Sequence, residues 1–223
     1  MIQALAYGLL TGISLSVGSM IGVSGRVPSW LAGVLLAFAT GALMFTTATE
    51  LIQRPLEDAP AWAIGGAVAL GSLSFLGIDA WAERGAGEGG GIALLVGVMV
   101  DGIPENLALG SSIGPTLLYA IVAANVPEAL TGARDMHEDN GWSKTRIVGI
   151  WTVGGVLLTS AVIGGYFLTE QLNPALTATI QAFAGGAVIA ALFSAAVPEG
   201  REQGGPWAAM ATATGFFLAA AIA

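Results

Sequence analysis

The chain contains no cysteine. Disulfides, thiolate metal ligands and thiol nucleophiles are therefore excluded, and the redox state of its compartment leaves no trace in the sequence. Histidine is nearly missing as well, His137 being the only one. Charge is sparse: seven Lys or Arg and fifteen Asp or Glu among 223 residues, 10% in all, with a net charge of −8. So few cations cannot build the basic patch that nucleic-acid binding requires. There is no Gly-x-x-x-x-Gly-Lys phosphate loop, and no His-Glu-x-x-His helix or Gly-x-Gly-Asp aspartyl signature. No enzyme is expected, and no resident cofactor.

What is abundant is apolar surface. The sequence is 55% hydrophobic, with a mean hydropathy of +0.77, and its apolar runs repeatedly reach the roughly 20 residues that a helix needs to cross a bilayer. The 33 glycines are spread through these runs, where small residues let helices approach closely. The expected fold is an all-α polytopic membrane protein with eight transmembrane helices. It forms a single transmembrane domain over 1–223, with spans at about 4–23, 30–53, 61–81, 92–113, 116–136, 146–168, 174–197 and 206–223. The polar stretch from Pro55 to Pro60 reads as a loop, and Gly85 to Gly91 as a flexible linker. Met1-Ile2-Gln3-Ala4 lacks the basic start of a signal peptide, so the first run reads as a span. Most of the six tryptophans lie near span ends, as interfacial anchors do. Arg26, Arg84, Arg134, Lys144, Arg146 and Arg201 fall in or beside the loops after spans 1, 3, 5 and 7, against Arg54 alone on the other side. The positive-inside rule then puts both termini outside, in a multi-pass cell-membrane protein.

The basic residues avoid the middle of the spans, and the acidic ones do not. Glu50, Asp79, Asp101, Glu105, Glu128 and Glu199 lie within or at the ends of apolar runs, where ionisable groups are functional candidates by default. Asp101-Gly102-Ile103-Pro104-Glu105-Asn106 and, 23 residues later, Asn125-Val126-Pro127-Glu128 each bury a Pro-Glu pair. With a rise of about 1.5 Å per residue, Asp101 and Glu105 stand roughly 13 and 20 Å from the inner start of span 4. Glu128 stands roughly 18 Å from the outer start of span 5, so all three converge on the middle of a core about 30 Å thick. Asp101 and Glu105 share a helical face at i, i+4, as Asn125 and Glu128 do at i, i+3. Each proline frees a backbone carbonyl one turn earlier, at Val100 and Ala123. Such an all-oxygen set suits Mg²⁺, Mn²⁺ or Fe²⁺ at least as well as Zn²⁺. Asp101, Glu105, Asn125 and Glu128 are the candidate metal ligands. Glu50 on the outer side, and Asp79 and Glu199 on the inner, are candidate pathway residues, whose bland reading is an interface residue paired with Arg54 or Arg201. Asp135, His137, Glu138 and Asp139 could form a cytoplasmic metal-sensing cluster but read better as a wet polar loop.

Ala37-Phe38-Ala39-Thr40-Gly41-Ala42 in span 2 is echoed by Ala182-Phe183-Ala184-Gly185-Gly186-Ala187 in span 7. These two spans run in opposite directions, which suggests an inverted repeat of the kind secondary transporters use. With the paired Pro-Glu elements, Ile78-Asp79 ending span 3 and Val197-Pro198-Glu199-Gly200 closing span 7, the chain resembles the ZIP (Zrt/Irt-like) divalent metal transporters, particularly their short GufA-like branch. The resemblance implies a ZIP-like arrangement around spans 4 and 5, inward movement of a divalent metal such as Zn, Mn, Fe, Co or Cd, and a homodimer in the bilayer. The chain also departs from that pattern. Asp101-Gly102 stand where the family has His-Asn, Ala124-Asn125 where it has His or Gln with Asn or Asp, and span 6 offers Thr152 but no carboxylate. The second position of a binuclear centre is expected to be missing. An alternative reading is a non-transporting membrane sensor or scaffold that has lost metal ligands.

Overall fold

The computed structural model describes the backbone of residues 1–85, 90–112, 114–138 and 141–223, and the side chains of all of these except 82–98 and 101. Regular structure among the described residues is entirely helical. The helices are α1 (Ile2–Gly22), α2 (Ser29–Asp58), α3 (Ala61–Gly85), α4 (Gly90–Ser112), α5 (Pro115–Glu138), α6 (Lys144–Gln171), α7 (Pro174–Gly204) and α8 (Trp207–Ile222). Six of them, α1, α2, α3, α5, α6 and α7, carry a stretch long and apolar enough to cross a bilayer, whereas α8 is a shorter apolar helix. Large apolar side chains such as Trp62, Leu73, Val156 and Phe217 face outward, and Ala, Gly and Thr line much of the interior. This distribution fits a bundle whose outer face meets lipid, where close packing rather than water exclusion holds helices together. The chain is a multi-pass helical membrane protein.

Two of these helices outrun the lengths read from the sequence. Pro55–Asp58 is helical rather than loop, and α7 continues through Pro198 to Gly204. In both cases the helix widens into a π-helical stretch, Thr47–Gln53 in α2 and Leu192–Ala196 in α7, which ends two residues before the proline. Proline lacks an N–H and its ring collides with the carbonyl four residues back. A π-turn just before it re-registers the ladder, so the helix continues where a breaker was expected. α4 and α5 likewise continue past Pro104 and Pro127.

The packing repeats itself. α1 lies against α6, α2 against α7 and α8, α3 against α7, α1 and α2 against α5, and α4 against α6 and α7. Exchanging α1 with α6, α2 with α7, α3 with α8 and α4 with α5 returns the same set of pairs. The close approaches obey the same exchange. Gly41 abuts the carbonyl of Thr212 on α8 while Gly186 abuts that of Val68 on α3, and Gly215 abuts Phe38 while Gly71 abuts Phe183. Gly22 meets the carbonyl of Leu130 on α5, and Gly165 that of Leu107 on α4. At the centre Gly12 and Gly155 touch each other's backbone. The hydroxyl of Thr159 donates to the carbonyl of Gly8 (2.7 Å) and that of Ser16 to Thr152 (3.3 Å), so α1 and α6 run antiparallel.

Candidate functional site

α4 and α5 flank the central α1–α6 crossing. Leu107 and Leu130, whose carbonyls receive Gly165 and Gly22, each follow a glutamate by two positions. Glu105 and Glu128 therefore occupy equivalent places in the two halves. Glu105 is buried and Glu128 half-buried. The side chain of Asp101, the third carboxylate expected here, lies outside the described residues. Asn125 is buried and its Nδ2 donates to the carbonyl of Thr11 on α1 at 3.1 Å, which makes it an interhelical tie whose nitrogen is already committed.

From Glu128 a file of carboxylates leads toward the end of α7. Glu128 feels the charge of Glu199. Glu199 is within hydrogen-bonding reach of Thr131 on α5, accepts from Gln203 Nε2 at 3.1 Å, and faces the like charges of Asp135 and Glu202. The alternative partner for Glu199, Arg201, donates to the carbonyl of Gly205 instead. Neighbouring like charges favour a proton or a cation among them. They form a file, not a cage: among the described residues no group of three or more His, Asp or Glu side chains is gathered closely enough to hold a metal ion. Asp79, half-buried on α3, stands apart from this file in sequence and helix.

At the opposite end of α2, Glu50 is buried in the π-helical stretch and ion-paired with Arg54, as its bland reading required. His137 Nδ1 is 2.9 Å from the carbonyl of Trp142, and Arg146 stacks over the Trp142 ring, so this histidine organises its loop. Glu138 is exposed, and Asp139 lies outside the described residues. Trp151 of α6 is fully buried, packs toward Gly132 of α5, and sits in an apolar cluster with Ala129 and Leu158. Thr152 bonds to the carbonyl of Val148 and to Ser16. The region of span 6 where the resembled family places a carboxylate thus holds a buried tryptophan and an exposed, hydrogen-bonded threonine.

Sequence reasoning passed over Asn106, Thr131 and Gln203. Asn106 is wholly buried; its Nδ2 donates to the carbonyl of Gly102 at 2.8 Å and its Oδ1 has no partner among the described residues. An amide directly after Glu105 in an apolar run was the signal available for it. Thr131 and Gln203 carry none, since both follow ordinary helical spacing. Compared with known proteins, the chain matches no family model and no curated relative.

Proposed function

We propose that the protein is a divalent metal cation transporter that moves its ion from outside to cytoplasm through the paired Pro-Glu elements of α4 and α5. The observation that carries this reading is the carboxylate file from Glu128 through Glu199 to Asp135 and Glu202. Carboxylates placed in sequence from the membrane interior to a helix end suit a cation that is handed on, whereas isolated buried acids suit packing. The repeated helix pairing supports it as well, because transporters built from repeats hold substrate at the repeat interface. Glu105, Glu128, Asp101 and the carbonyl oxygen of Asn125 would bind the ion, which is the substrate here. Glu50 and Asp79 would lie on the outer and inner reaches of the path. Eight crossings, outside termini, the ZIP-like arrangement and a homodimer belong to the same proposal.

One observation favours the alternative of a non-transporting sensor or scaffold: the described residues gather no three-ligand cage. Uptake into proteoliposomes separates the two. Zn²⁺, Mn²⁺, Fe²⁺, Co²⁺, Cd²⁺ and Mg²⁺ are each supplied outside, with Glu105→Gln/Glu128→Gln as the control. Uptake of at least one ion that falls at least tenfold in the double variant is the expected result. No uptake of any ion leaves the sensor or scaffold reading standing, whereas equal uptake by the variant means that transport does not use the paired Pro-Glu elements.

A further inference from the structure

The far end of α2 holds a second carboxylate with an unusual setting. Glu50 is only 8% exposed and lies in the π-helical stretch Thr47–Gln53, and such wide turns are frequent at functional sites. Its one ion-pair partner among the described residues is Arg54, whose side chain is 63% exposed. The α4–α5 turn comes down onto this carboxylate. Gly114 is buried there, and a Cβ at that position would stand 3.3 Å from Glu50 Oε2 and 3.8 Å from Ser112 Oγ. Glu50 and Ser112 thus face one small volume that a side chain at 114 would fill.

Two hydroxyls in this part of the fold have no partner among the described residues. Ser112 Oγ is buried and unbonded, and so is Thr47 Oγ1, on a wholly buried residue three positions before Glu50 in the same π-helical stretch. Buried polar atoms are nearly always bonded, so each orphan calls for a partner. Hydroxyl and carboxylate oxygens together match a hard divalent cation that keeps part of its water shell. Ser112 is seven residues beyond Glu105, roughly 10 Å along α4.

We propose that Glu50, Ser112 and Thr47 form an outer site for a divalent cation, and that Arg54 is its built-in competitor. The guanidinium occupies the carboxylate while no ion is present. A monovalent cation that displaces it exchanges one positive charge for another and loses the hydrogen bonds of the guanidinium. A divalent ion gains in the same exchange, so Arg54 sets a charge threshold for admission. The proposal rests on the transport reading for its purpose, but its test does not depend on transport.

Binding of Mn²⁺ is measured by electron paramagnetic resonance of the free ion, with the chain purified in detergent and carrying Glu105→Gln/Glu128→Gln to remove the inner site. Adding Arg54→Gln should tighten Mn²⁺ binding at least tenfold, adding Arg54→Lys should change it little, and adding Glu50→Gln to the Arg54→Gln chain should abolish the gain. Ser112→Ala and Thr47→Val, each in the Arg54→Gln chain, should weaken it several-fold. Equal binding with and without Arg54→Gln, or a gain that survives Glu50→Gln, overturns the site. If proteoliposomes take up no ion while the Arg54→Gln gain appears, the outer site stands and the transport reading falls. Normal uptake without the gain does the opposite: transport stands and the outer site falls.

Discussion

Asn125 stands in the stretch that the resembled family uses for ligands, yet its amide nitrogen ties α5 to α1 through the carbonyl of Thr11. That carbonyl belongs to a helix and keeps its ladder partner, so removing the amide does not orphan it. Interhelical hydrogen bonds in membranes average about 0.6 kcal/mol, and Asn125→Ala should lower stability by about that much, read from reversible unfolding in mixed micelles. If the oxygen also serves the ion, the same variant raises the KM for uptake several-fold beyond anything so small a stability change explains. An unchanged KM would make Asn125 a tie and nothing more. The Pro-Glu pairs were legible in the sequence because a proline and a carboxylate are both conspicuous in an apolar run. The neighbours of Glu199 were not legible. Thr131 has the same backbone spacing as the other helical threonines, which bond to a carbonyl three or four residues back. Only packing brings it to Glu199.

At the scale of the helices, the echo between Ala37–Ala42 and Ala182–Ala187 acquires a physical cause. Each copy carries a Phe whose carbonyl receives a glycine of a partner helix and, three residues on, a glycine that receives the partner's carbonyl. The echo is a docking surface for α8 in one half and for α3 in the other. A Cβ at Gly71 or Gly215 would fall on the carbonyl of Phe183 or Phe38, closer than real side chains approach. Gly71→Ala and Gly215→Ala should each destabilise by about 1–3 kcal/mol, as overpacking does, and by similar amounts because the two contacts are equivalent. Gly66 and Gly149 have nothing within 4 Å of an added Cβ. Gly66→Ala and Gly149→Ala should be neutral or stabilise slightly, since glycine weakens a helix by roughly 0.5–1 kcal/mol relative to alanine. Thermal unfolding of the four variants in one detergent decides, and a loss at Gly66 as large as that at Gly71 would refute the reading. Helix positions were recoverable from apolar runs, but the ends of α2 and α7 were not. The polar stretch from Pro55 reads as a loop and span 7 as ending at about 197, and the π-turns that carry both helices past their prolines have no sequence signature.

For the molecule as a whole, the antiparallel α1–α6 crossing and the exchanged pairings relate two three-helix units running in opposite senses. Even the outward apolar grooves correspond: Trp30, Phe38, Trp207 and Thr214 border one, Trp62, Leu70, Thr179 and Phe183 the other. The fold places Glu57 at the C-terminal end of α2 and Thr145 at the N-terminal start of α6, both exposed. If every helix crosses, α2 and α6 run in the same sense and these two residues lie on opposite sides of the membrane. The cationic residues then fix which side is which. Arg26, Lys144, Arg146 and Arg201 follow α1, open α6 or close α7, all at one end of the bundle, and Arg134 at that same end donates to Val27 and Ser29, locking the α1–α2 loop onto α5. Arg54 alone stands opposite, paired with Glu50. By the positive-inside rule the crowded end is expected to face the cytoplasm. Because the chain has no cysteine, Glu57→Cys and Thr145→Cys give labelling without background. An impermeant maleimide applied to intact cells should modify the cysteine at 57, and should reach that at 145 only after permeabilisation. Labelling of both from outside would mean that a helix between them fails to cross. The reverse pattern would invert the molecule and, with it, the direction proposed for the ion.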